Sequence, residues 1–350
     1  MTKIRNFLIH TGAGIGDMVQ KLPMARAIKE AYPDSNVDFL MNGTASRWEL
    51  VNNVIECQHY VRNLYRYDVR DKFHCAKTLL RLILNRYDYG FVRDAGLAVH
   101  SVVPSLWVFR IMRWSMCKNI VGFLREHVDV YVDVPDRAHY LERDRLTLKA
   151  IGIERELNAN TLDVSLTDKS ILSSVSTERR IIGLSVGTNL YRWSENGRTI
   201  AYDVKSWAYD KWVTLSEELV NNGYAVILLG GQKEAEELQE QGIRIPESEH
   251  IINFIGKATL KQSLALLSIC TLVVGSEGGM MHCAAGMGKR TLTIMGGSDY
   301  KQWRPAGGEI VNLNLECSPC FSTKRAADCK YHKCLEGISV DMVLEKILSM

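Results

Sequence analysis

Residues 7–41, FLIHTGAGIGDMVQKLPMARAIKEAYPDSNVDFLM, contain the pattern from which the fold class can be inferred. The apolar residues around 5–10 predict a buried strand, and the glycine-rich loop TGAGIGD at 11–17 separates it from a helix over about 17–31. A second strand is predicted at 36–41. Strand, tight turn, helix and strand in this order form the repeating unit of a parallel sheet.

The alternation of strands and helices runs through the chain in two series. In the first, further strands are predicted at 54–61 and 89–95, with a helix over 77–87. After about 155–178 the pattern restarts with a strand at 179–188, a helix at 209–223 and a strand at 224–231. The continuously apolar runs AVILL, TLVV and TLTI indicate strands covered on both faces. We therefore predict two Rossmann-like domains, 1–165 and 166–335, and a terminal helix at 336–350.

The composition is that of a globular protein, with 46% hydrophobic and 24% charged residues among 350. No stretch has the pattern of a secretory signal or of a membrane span, and the segment 99–117, which comes nearest, is interrupted by charges and a proline. Five of the nine cysteines are scattered along the chain. Scattered thiols without a signal predict a reduced, cytoplasmic protein.

Positive charge is concentrated in the first half. The net charge is only +3, but residues 62–125 hold twelve Lys or Arg and four acids, a surplus of +8. A block of this kind can attract an anionic partner. The alternative is a set of solvated helix faces.

The loop TGAGIGD does not match a phosphate-binding loop. Its glycines have G-x-G-x-G spacing, one residue short of the dinucleotide fingerprint, and no G-K-[ST] follows. Asp38 stands near the distance expected of a ribose-binding acid, but the glycine spacing still fails, and the Asp17 carboxylate would repel a phosphate. Two interpretations remain: Asp17 is the N-cap of a helix, or its carboxylate is itself the functional group.

Three loops follow predicted strands in the second half: SVGTN at 185–189, GG at 230–231 and GSEGGMMH at 275–282. Gly278 and Gly279 precede a predicted helix, whose free N–H groups and positive end form an anion site. Glu277 suits sugar hydroxyls better than phosphate. His282 lies on the first turn of that helix, where the alternative is a structural histidine.

Four segments resemble the motifs of one family. They are GIGDMVQKLPMARAIKEAYP (14–33), VKSWAYDKWVTLSEEL (204–219), VVGSEGGMMHCAA (273–285) and ECSPCFSTKRAADCKYHKCLEGISVDMV (316–343). In this order they resemble glycosyltransferase family 9, the ADP-heptose:lipopolysaccharide heptosyltransferases and their relatives. The resemblance implies an α/β GT-B fold of two facing Rossmann-like domains with parallel sheets. It also implies that 1–165 binds the acceptor, that 166–335 binds a nucleotide-sugar donor, and that the helix at 336–350 crosses back to the first domain.

The resemblance further implies an inverting sugar transfer without a catalytic metal. Asp17 takes the role of general base, and Lys205 neutralises the leaving diphosphate. Gly14 and Gly16 belong to the acceptor loop. The implied donor-binding residues are Gly187, Thr188, Asn189, Gly230, Glu277, Gly278, Gly279 and His282.

The implied partners are a nucleotide-sugar, first ADP-heptose, and an anionic glycan or glycolipid acceptor of lipopolysaccharide or another cell-surface glycan. Peripheral contact with the inner face of the cytoplasmic membrane is expected. Binding of nucleic acid is not expected. Two departures from the family pattern bear on the donor: an insertion at 190–204, and Glu277 at a position where many heptosyltransferases have Asp.

Cys317, Cys320, Cys329 and Cys334 form a cluster with C-x2-C-x8-C-x4-C spacing. Such a set can ligate one structural zinc or iron ion. The alternatives are four reduced thiols that order a loop, or a disulfide formed in vitro. No cofactor is expected for catalysis.

Two other functions fit the same architecture. One is a non-catalytic module that binds a nucleotide-sugar or glycan, against which the retention of both Asp17 and Lys205 argues. The other is a nucleotide-sugar 2-epimerase, which matches the four segments less well.

Overall fold

The computed structural model describes residues 5–92, 106–165, 167–188, 191–195, 198–202, 204–321 and 323–350. The chain divides into two compact units, Met1–Asp163 and Val164–Met350. Each unit is built around one six-stranded parallel sheet. The predicted α/β class with two parallel sheets is therefore confirmed.

The first unit has the sheet order β3-β2-β1-β4-β5-β6. Its elements are β1 (Asn6–Thr11), α1 (Ile15–Val19), α2 (Leu22–Ala31), β2 (Asn36–Asn42), α3 (Ala45–Ile55), β3 (Asn63–Tyr67), α4 (Lys72–Asn85), β4 (Tyr89–Phe91), α5 (Trp107–Trp114), β5 (Asn119–Gly122), β6 (Val130–Tyr131) and α6 (Tyr140–Lys149).

The second unit has the sheet order β11-β10-β7-β12-β13-β14 and a separate two-stranded ribbon, β8-β9. After a 3-10 turn at Lys169–Ser174, its elements are β7 (Ile181–Ser185), β8 (Tyr191–Glu195), β9 (Arg198–Tyr202), α7 (Tyr209–Asn221), β10 (Ala225–Leu229), α8 (Gln232–Glu240), β11 (Ile251–Asn253), α9 (Leu260–Ile269), β12 (Leu272–Ser276), α10 (Gly279–Gly286), β13 (Arg290–Ile294), α11 (Tyr300–Trp303), β14 (Glu309–Val311), α12 (Lys324–Ala327), α13 (Lys333–Glu336) and α14 (Val340–Leu348).

The two sheets share one topology, in which the chain leaves a central strand first to one side and then to the other. In the first unit β1 lies between β2 and β4, so that Ile9 faces Phe39 on one side and Phe91 on the other. In the second unit β7 lies between β10 and β12. Doubly wound sheets bind ligands beside the carboxyl end of the strand where the order reverses. The loops that follow β1 and β7 are therefore the places to look for a site.

Helix packing explains why the central strands are so apolar. All five residues of β10 are buried, because helices cover both faces of the sheet. Trp207 and Trp212 are buried beside them, with ring centroids 4.8 Å apart and nearly perpendicular planes. Each large apolar side chain removed from water in this way contributes about 1.5–3 kcal/mol.

Two predicted elements of the first unit are corrected. The single helix predicted over 17–31 is two helices, because the chain turns at Gln20–Lys21 and Pro23 then starts α2 in its first turn. The strand predicted at 54–61 is wrong: Val54 and Ile55 end α3, and the edge strand is Asn63–Tyr67. The apolar residues near 54 lie on the buried face of a helix. A short apolar run in the sequence does not distinguish such a helix face from a strand.

Other predictions fall partly on residues outside the described ranges. The strand predicted at 89–95 is described as β4, Tyr89–Phe91, and the apolar segment 99–117 contains α5, Trp107–Trp114. The insertion at 190–204 contains the antiparallel ribbon of β8 and β9, which contacts α12. The terminal helix α14 packs against α7 and β14 of its own unit. Within the described residues no helix has the length and apolarity needed to cross a bilayer.

Asp38 has a structural role at the start of β2. Its fully buried carboxylate accepts hydrogen bonds from Arg62 Nε at 3.0 Å, Asn63 Nδ2 at 3.1 Å and the Tyr87 hydroxyl at 2.6 Å. Burial and the Asp38 charge raise the pKa of the Tyr87 hydroxyl, which therefore stays protonated and donates. The carboxylate thus ties β2 to β3 and to the end of α4.

Replacing the buried donor gives a direct test of this network. Tyr87→Phe leaves a carboxylate lone pair unsatisfied, so we expect a loss of about 1–3 kcal/mol in the free energy of unfolding, measured by urea denaturation. Tyr89→Phe is the matched control, because Tyr89 stacks on Phe7 through its ring. Equal stability of the two variants would contradict the assignment.

Candidate active site

The loop after β1 fixes the Asp17 carboxylate at the end of the central strand. Gly14 is the N-cap of α1, and Asp17, three residues later, folds back so that its Oδ2 accepts a hydrogen bond from Gly14 N at 3.0 Å. A Cβ at position 14 would lie 3.1 Å from that oxygen, which is why glycine fits there. Asp17 is therefore not the N-cap itself, as one interpretation had it. Its half-buried carboxylate is held at the mouth of the loop, with Gly16 buried beside it.

The three glycine loops of the second unit converge because β10, β7 and β12 are neighbours in the sheet. Gly187 follows β7 and Gly278 follows β12, and a Cβ built on Gly278 would lie 3.8 Å from the carbonyl oxygen of Gly187. Gly230 follows β10 and packs against the Glu234 side chain, which also touches Gly187. The structure thus brings the predicted glycines of these loops together. Asn189 lies outside the described residues.

Glu234 is a residue that the sequence analysis missed. It is buried at the third position of α8, and its Oε2 accepts a hydrogen bond from Gly231 N at 2.7 Å. A Cβ at Gly187 would lie only 2.5 Å from the Glu234 carboxyl carbon, so a side chain at this position would force Glu234 to move. The spacing Gly231-x-x-Glu234 matches Gly14-x-x-Asp17 in the first unit, and this repeated spacing is the signal that could have revealed it.

Lys205 is a buried cation held by a carboxylate. Its side chain forms an ion pair with Glu277 Oε2, and the two residues are only 5% and 8% exposed. Ser298 Oγ donates a second hydrogen bond to the same Glu277 oxygen at 2.6 Å. Lys205 and Glu277, predicted from separate segments, are therefore directly joined, and Ser298 completes the arrangement.

An aromatic ring covers the same ammonium group. Lys205 Nζ lies 4.3 Å from the centroid of the Phe321 ring, within the range of a cation–π interaction. The backbone N–H groups of Cys320 and Phe321 both donate to the Gly297 carbonyl, at 2.8 and 2.9 Å, and this pins the ring in place. Neither Ser298 nor Phe321 was predicted, because both meet Lys205 only through the tertiary fold.

Thr188 contacts Ser206, the residue that follows Lys205 in the chain, through its hydroxyl group. Its Oγ1 is 2.9 Å from the Ser206 hydroxyl, and its carbonyl oxygen accepts a hydrogen bond from Lys233 Nζ at 3.3 Å. Trp207 N donates to Ser276 Oγ at 3.3 Å, which links the segment after Lys205 to the end of β12. Hydroxyl groups and lysines therefore surround the end of the central strand.

The helix α10 begins at the same edge of the sheet. Gly278 is its N-cap, Gly279 its first residue, and His282 is buried one turn further on. The N–H groups of a first helical turn have no partner within the helix and carry partial positive charge. With Lys205 nearby, this edge presents two sources of positive potential, as an anionic diphosphate requires.

The metal site predicted at the cysteine cluster stays a prediction. Cys320 and Cys334 are buried in two separate apolar clusters, whereas Cys329 is exposed after α12. Across the ranges that the structure describes, no three His, Cys, Asp or Glu side chains converge closely enough to hold a metal ion. All nine cysteines are free thiols. Cys320 packs with Val204 and Ala326 in one of these apolar clusters.

Known proteins share this fold and these segments. The sequence profile described as "Glycosyltransferase family 9 (heptosyltransferase)" matches residues 86–331. The chain belongs to glycosyltransferase family 9. It is 28% identical over 362 residues to "Lipooligosaccharide heptosyltransferase 2" of Haemophilus influenzae, with 98% of each chain covered.

Two solved structures of Escherichia coli proteins have the same fold as this family 9 chain. "Structure of E. coli ADP-heptose lps heptosyltransferase II" gives a TM-score of 0.70 at 20% identity, covering 99% of this chain and 98% of that one. "E. coli heptosyltransferase WaaC with ADP-2-deoxy-2-fluoro heptose" gives 0.68 at 14% identity, covering 98% and 99%. The resemblance seen in the sequence and the predicted GT-B fold class are confirmed. The protein is a glycosyltransferase.

Removing one partner of the buried ion pair tests how strongly Lys205 depends on Glu277. Glu277→Leu leaves a buried ammonium without its carboxylate, so we expect the free energy of unfolding to fall by about 3–5 kcal/mol. Lys205→Met should cost a similar amount. The double variant should lose clearly less than the sum, as measured by urea denaturation of all four proteins. Additive losses would show that the pair is not coupled.

The thiols of the tail should differ sharply in reactivity. Burial, together with Cys334 and Cys317, raises the pKa of Cys320 to about 11, so near pH 8 only about one such thiol in a thousand is a thiolate. Burial also raises the pKa of Cys334. Alkylation of the native protein with iodoacetamide, followed by mass spectrometry, should modify exposed Cys329 first. If all four cysteines resist alkylation and a chelator makes them reactive, the prediction of a metal site would be supported.

Proposed function

We propose that this protein transfers heptose from ADP-heptose to a saccharide acceptor in lipopolysaccharide assembly, with inversion and without a catalytic metal. The curated relative from H. influenzae, which aligns over 98% of both chains, is named a heptosyltransferase. The name of one solved structure of the same fold includes an ADP-heptose analogue. The observation that carries the proposal is the buried Lys205, held beside Glu277 where α10 begins.

The donor is held by the second unit in this proposal. Its diphosphate lies against the first turn of α10 at Gly278 and Gly279, and the ammonium group of Lys205, whose charge Glu277 balances, donates hydrogen bonds to it. Glu277 binds sugar hydroxyls while it keeps Lys205 paired, and Thr188 and His282 complete the polar lining. A fixed ammonium stabilises the charge that develops on the leaving phosphate oxygen, which is the role that a divalent metal has in other transferases.

The first unit supplies the base. The Asp17 carboxylate takes the proton from an acceptor hydroxyl as its oxygen attacks the anomeric carbon of the heptose. The bond between that carbon and the phosphate oxygen breaks, and its electron pair leaves with ADP. Attack from the face opposite the leaving group inverts the anomeric configuration. The hydrogen bond from Gly14 N holds the carboxylate in place for this step.

The acceptor is an anionic glycolipid at the inner face of the cytoplasmic membrane. The surplus of +8 between residues 62 and 125 supports a negatively charged partner for the first unit. Free thiols throughout the chain are typical of a protein kept in a reducing compartment.

Asp17→Asn separates the base from the structural role of this residue. The amide oxygen can still accept the hydrogen bond from Gly14 N but cannot take a proton, so we expect heptose transfer to fall about 10²–10⁴-fold. Binding of ADP-heptose, measured by isothermal titration calorimetry, should be unchanged. Asp34→Asn, at an exposed acid of the same unit, is the matched control.

Asp17→Ala completes the comparison because it removes both the base and the acceptor of the hydrogen bond from Gly14 N. Wild-type turnover by Asp17→Asn together with an inactive, destabilised Asp17→Ala would assign Asp17 a structural role only. Binding of ADP-heptose by the wild type without transfer to any lipopolysaccharide acceptor would favour a non-catalytic binding module.

A further inference from the structure

The helix α4 exposes an apolar stripe to solvent. Phe73, Leu80 and Leu84 are 84%, 59% and 73% exposed, although each is a residue type that normally packs inside a protein. At positions i, i+7 and i+11 they lie along one side of the helix. The opposite side is buried through Thr78 and Leu82. Contiguous exposed apolar side chains of this kind mark an interaction surface.

Cations interleave with this stripe. Lys77 and Arg81 are exposed and stand at helical spacing between the apolar residues. The sequence of α4, KFHCAKTLLRLILN, contains three Lys or Arg and no acid. A helix with large apolar groups and cations together on its exposed side differs from an ordinary solvated helix, whose exposed side is polar.

The neighbouring helix α5 has the same character. Trp107, Trp114 and Met116 are exposed, the two indole rings are 6.0 Å apart, and the Arg110 guanidinium lies 5.1 Å from the Trp107 ring. The sequence of α5, WVFRIMRW, likewise has two arginines and no acid. Tryptophan beside arginine is the composition found where proteins meet the headgroup region of a bilayer.

The topology places both helices on one face of the sheet. The helix α4 connects β3 to β4, and α5 connects β4 to β5, so both connections run in the same direction across the sheet. Right-handed crossovers that run in one direction place their helices on the same face of the sheet. They contact each other, and Leu82 of α4 shares a core cluster with Phe109 and Met112 of α5. Their exposed sides therefore adjoin, and we call them together the α4–α5 surface.

We propose that the α4–α5 surface docks the enzyme on an anionic lipid bilayer, with Phe73, Leu80, Leu84 and Trp114 entering the interfacial region and Lys77 and Arg81 contacting lipid phosphates. An amphipathic helix of this composition lies in the plane of the interface, held by apolar burial and by attraction to anionic headgroups. The surface would hold the first unit where a lipid-linked acceptor resides. Only this last step rests on the proposed function.

Charge argues for a bilayer rather than a second copy of the chain. The helices α4 and α5 carry five Lys or Arg and no acid, and one of these cations, Arg113, is paired with Asp129. A twofold interface between two such surfaces would place like charges against each other, at a considerable electrostatic cost. An anionic bilayer satisfies both the cations and the apolar side chains at once.

Vesicle flotation tests the proposal on the full-length protein. Wild type should float with vesicles of phosphatidylglycerol and phosphatidylcholine in equal parts, and not with phosphatidylcholine alone. Lys77→Gln with Arg81→Gln should weaken binding about fivefold for each charge removed. Phe73→Ser with Leu80→Ser and Leu84→Ser should abolish flotation. Met342→Ser with Leu348→Ser, which changes two exposed apolar residues of α14, is the matched control and should float as wild type does.

A second measurement locates the contact. Lipids brominated near the headgroup should quench the tryptophan fluorescence of wild type, and Trp114→Phe should remove a large part of that quenching. Flotation of the Phe73, Leu80 and Leu84 variant at the wild-type level would overturn the proposal. So would a lipid-free dimer that this variant converts to a monomer, since the occupant would then be a second copy. Binding to neutral and anionic vesicles alike would exclude the role of charge.

Activity assays keep this proposal separate from heptose transfer. The serine variant should retain wild-type turnover on a soluble, delipidated acceptor and lose it on an acceptor embedded in vesicles. If wild type transfers no heptose to either acceptor, the proposed function fails while the flotation result still decides the docking surface.

Discussion

A buried positive charge governs how the second unit is built. An ammonium group removed from water is strongly destabilising unless a carboxylate neutralises it, and here Glu277 at the end of β12 does so for Lys205. Glu277 in turn accepts a hydrogen bond from Ser298, and the Phe321 ring covers Lys205. The end of β12, the segment after β13 and the cysteine-containing tail are therefore arranged around one charge, at the edge of the sheet where α/β proteins bind ligands.

Both units use the same device to hold an acid near the end of a strand. In each, a glycine caps a helix and an acid three residues later accepts its N–H: Gly14 with Asp17 in the first unit, and Gly231 with Glu234 in the second. In both units the hydrogen bond that holds the carboxylate is local, because donor and acceptor are three residues apart. In the loop TGAGIGD, which lacks the spacing of a phosphate loop, glycine at position 14 leaves room for the Asp17 carboxylate to fold back.

The parts of the fold that depend on local pattern were predictable from the sequence. Continuously apolar runs located β10, β12 and β13, and the glycines after these strands located the loops of the candidate site, because the carboxyl ends of parallel strands meet at one edge. The edge strand Asn63–Tyr67 was missed because an edge position does not require a continuous apolar run. Ser298 and Phe321 were missed because their contacts with the Lys205–Glu277 pair span distant segments, which leave no local signature.

The inserted ribbon and the cysteine-containing tail pack against each other. The strands β8 and β9 contact α12, and Val204, directly after the ribbon, packs with Cys320 and Ala326 of the tail. The residue that follows Cys320 is the aromatic cover of Lys205. The ribbon and the tail thus depend on each other, although they lie far apart in the sequence. A chimera between family members would have to exchange both segments together to keep Lys205 covered.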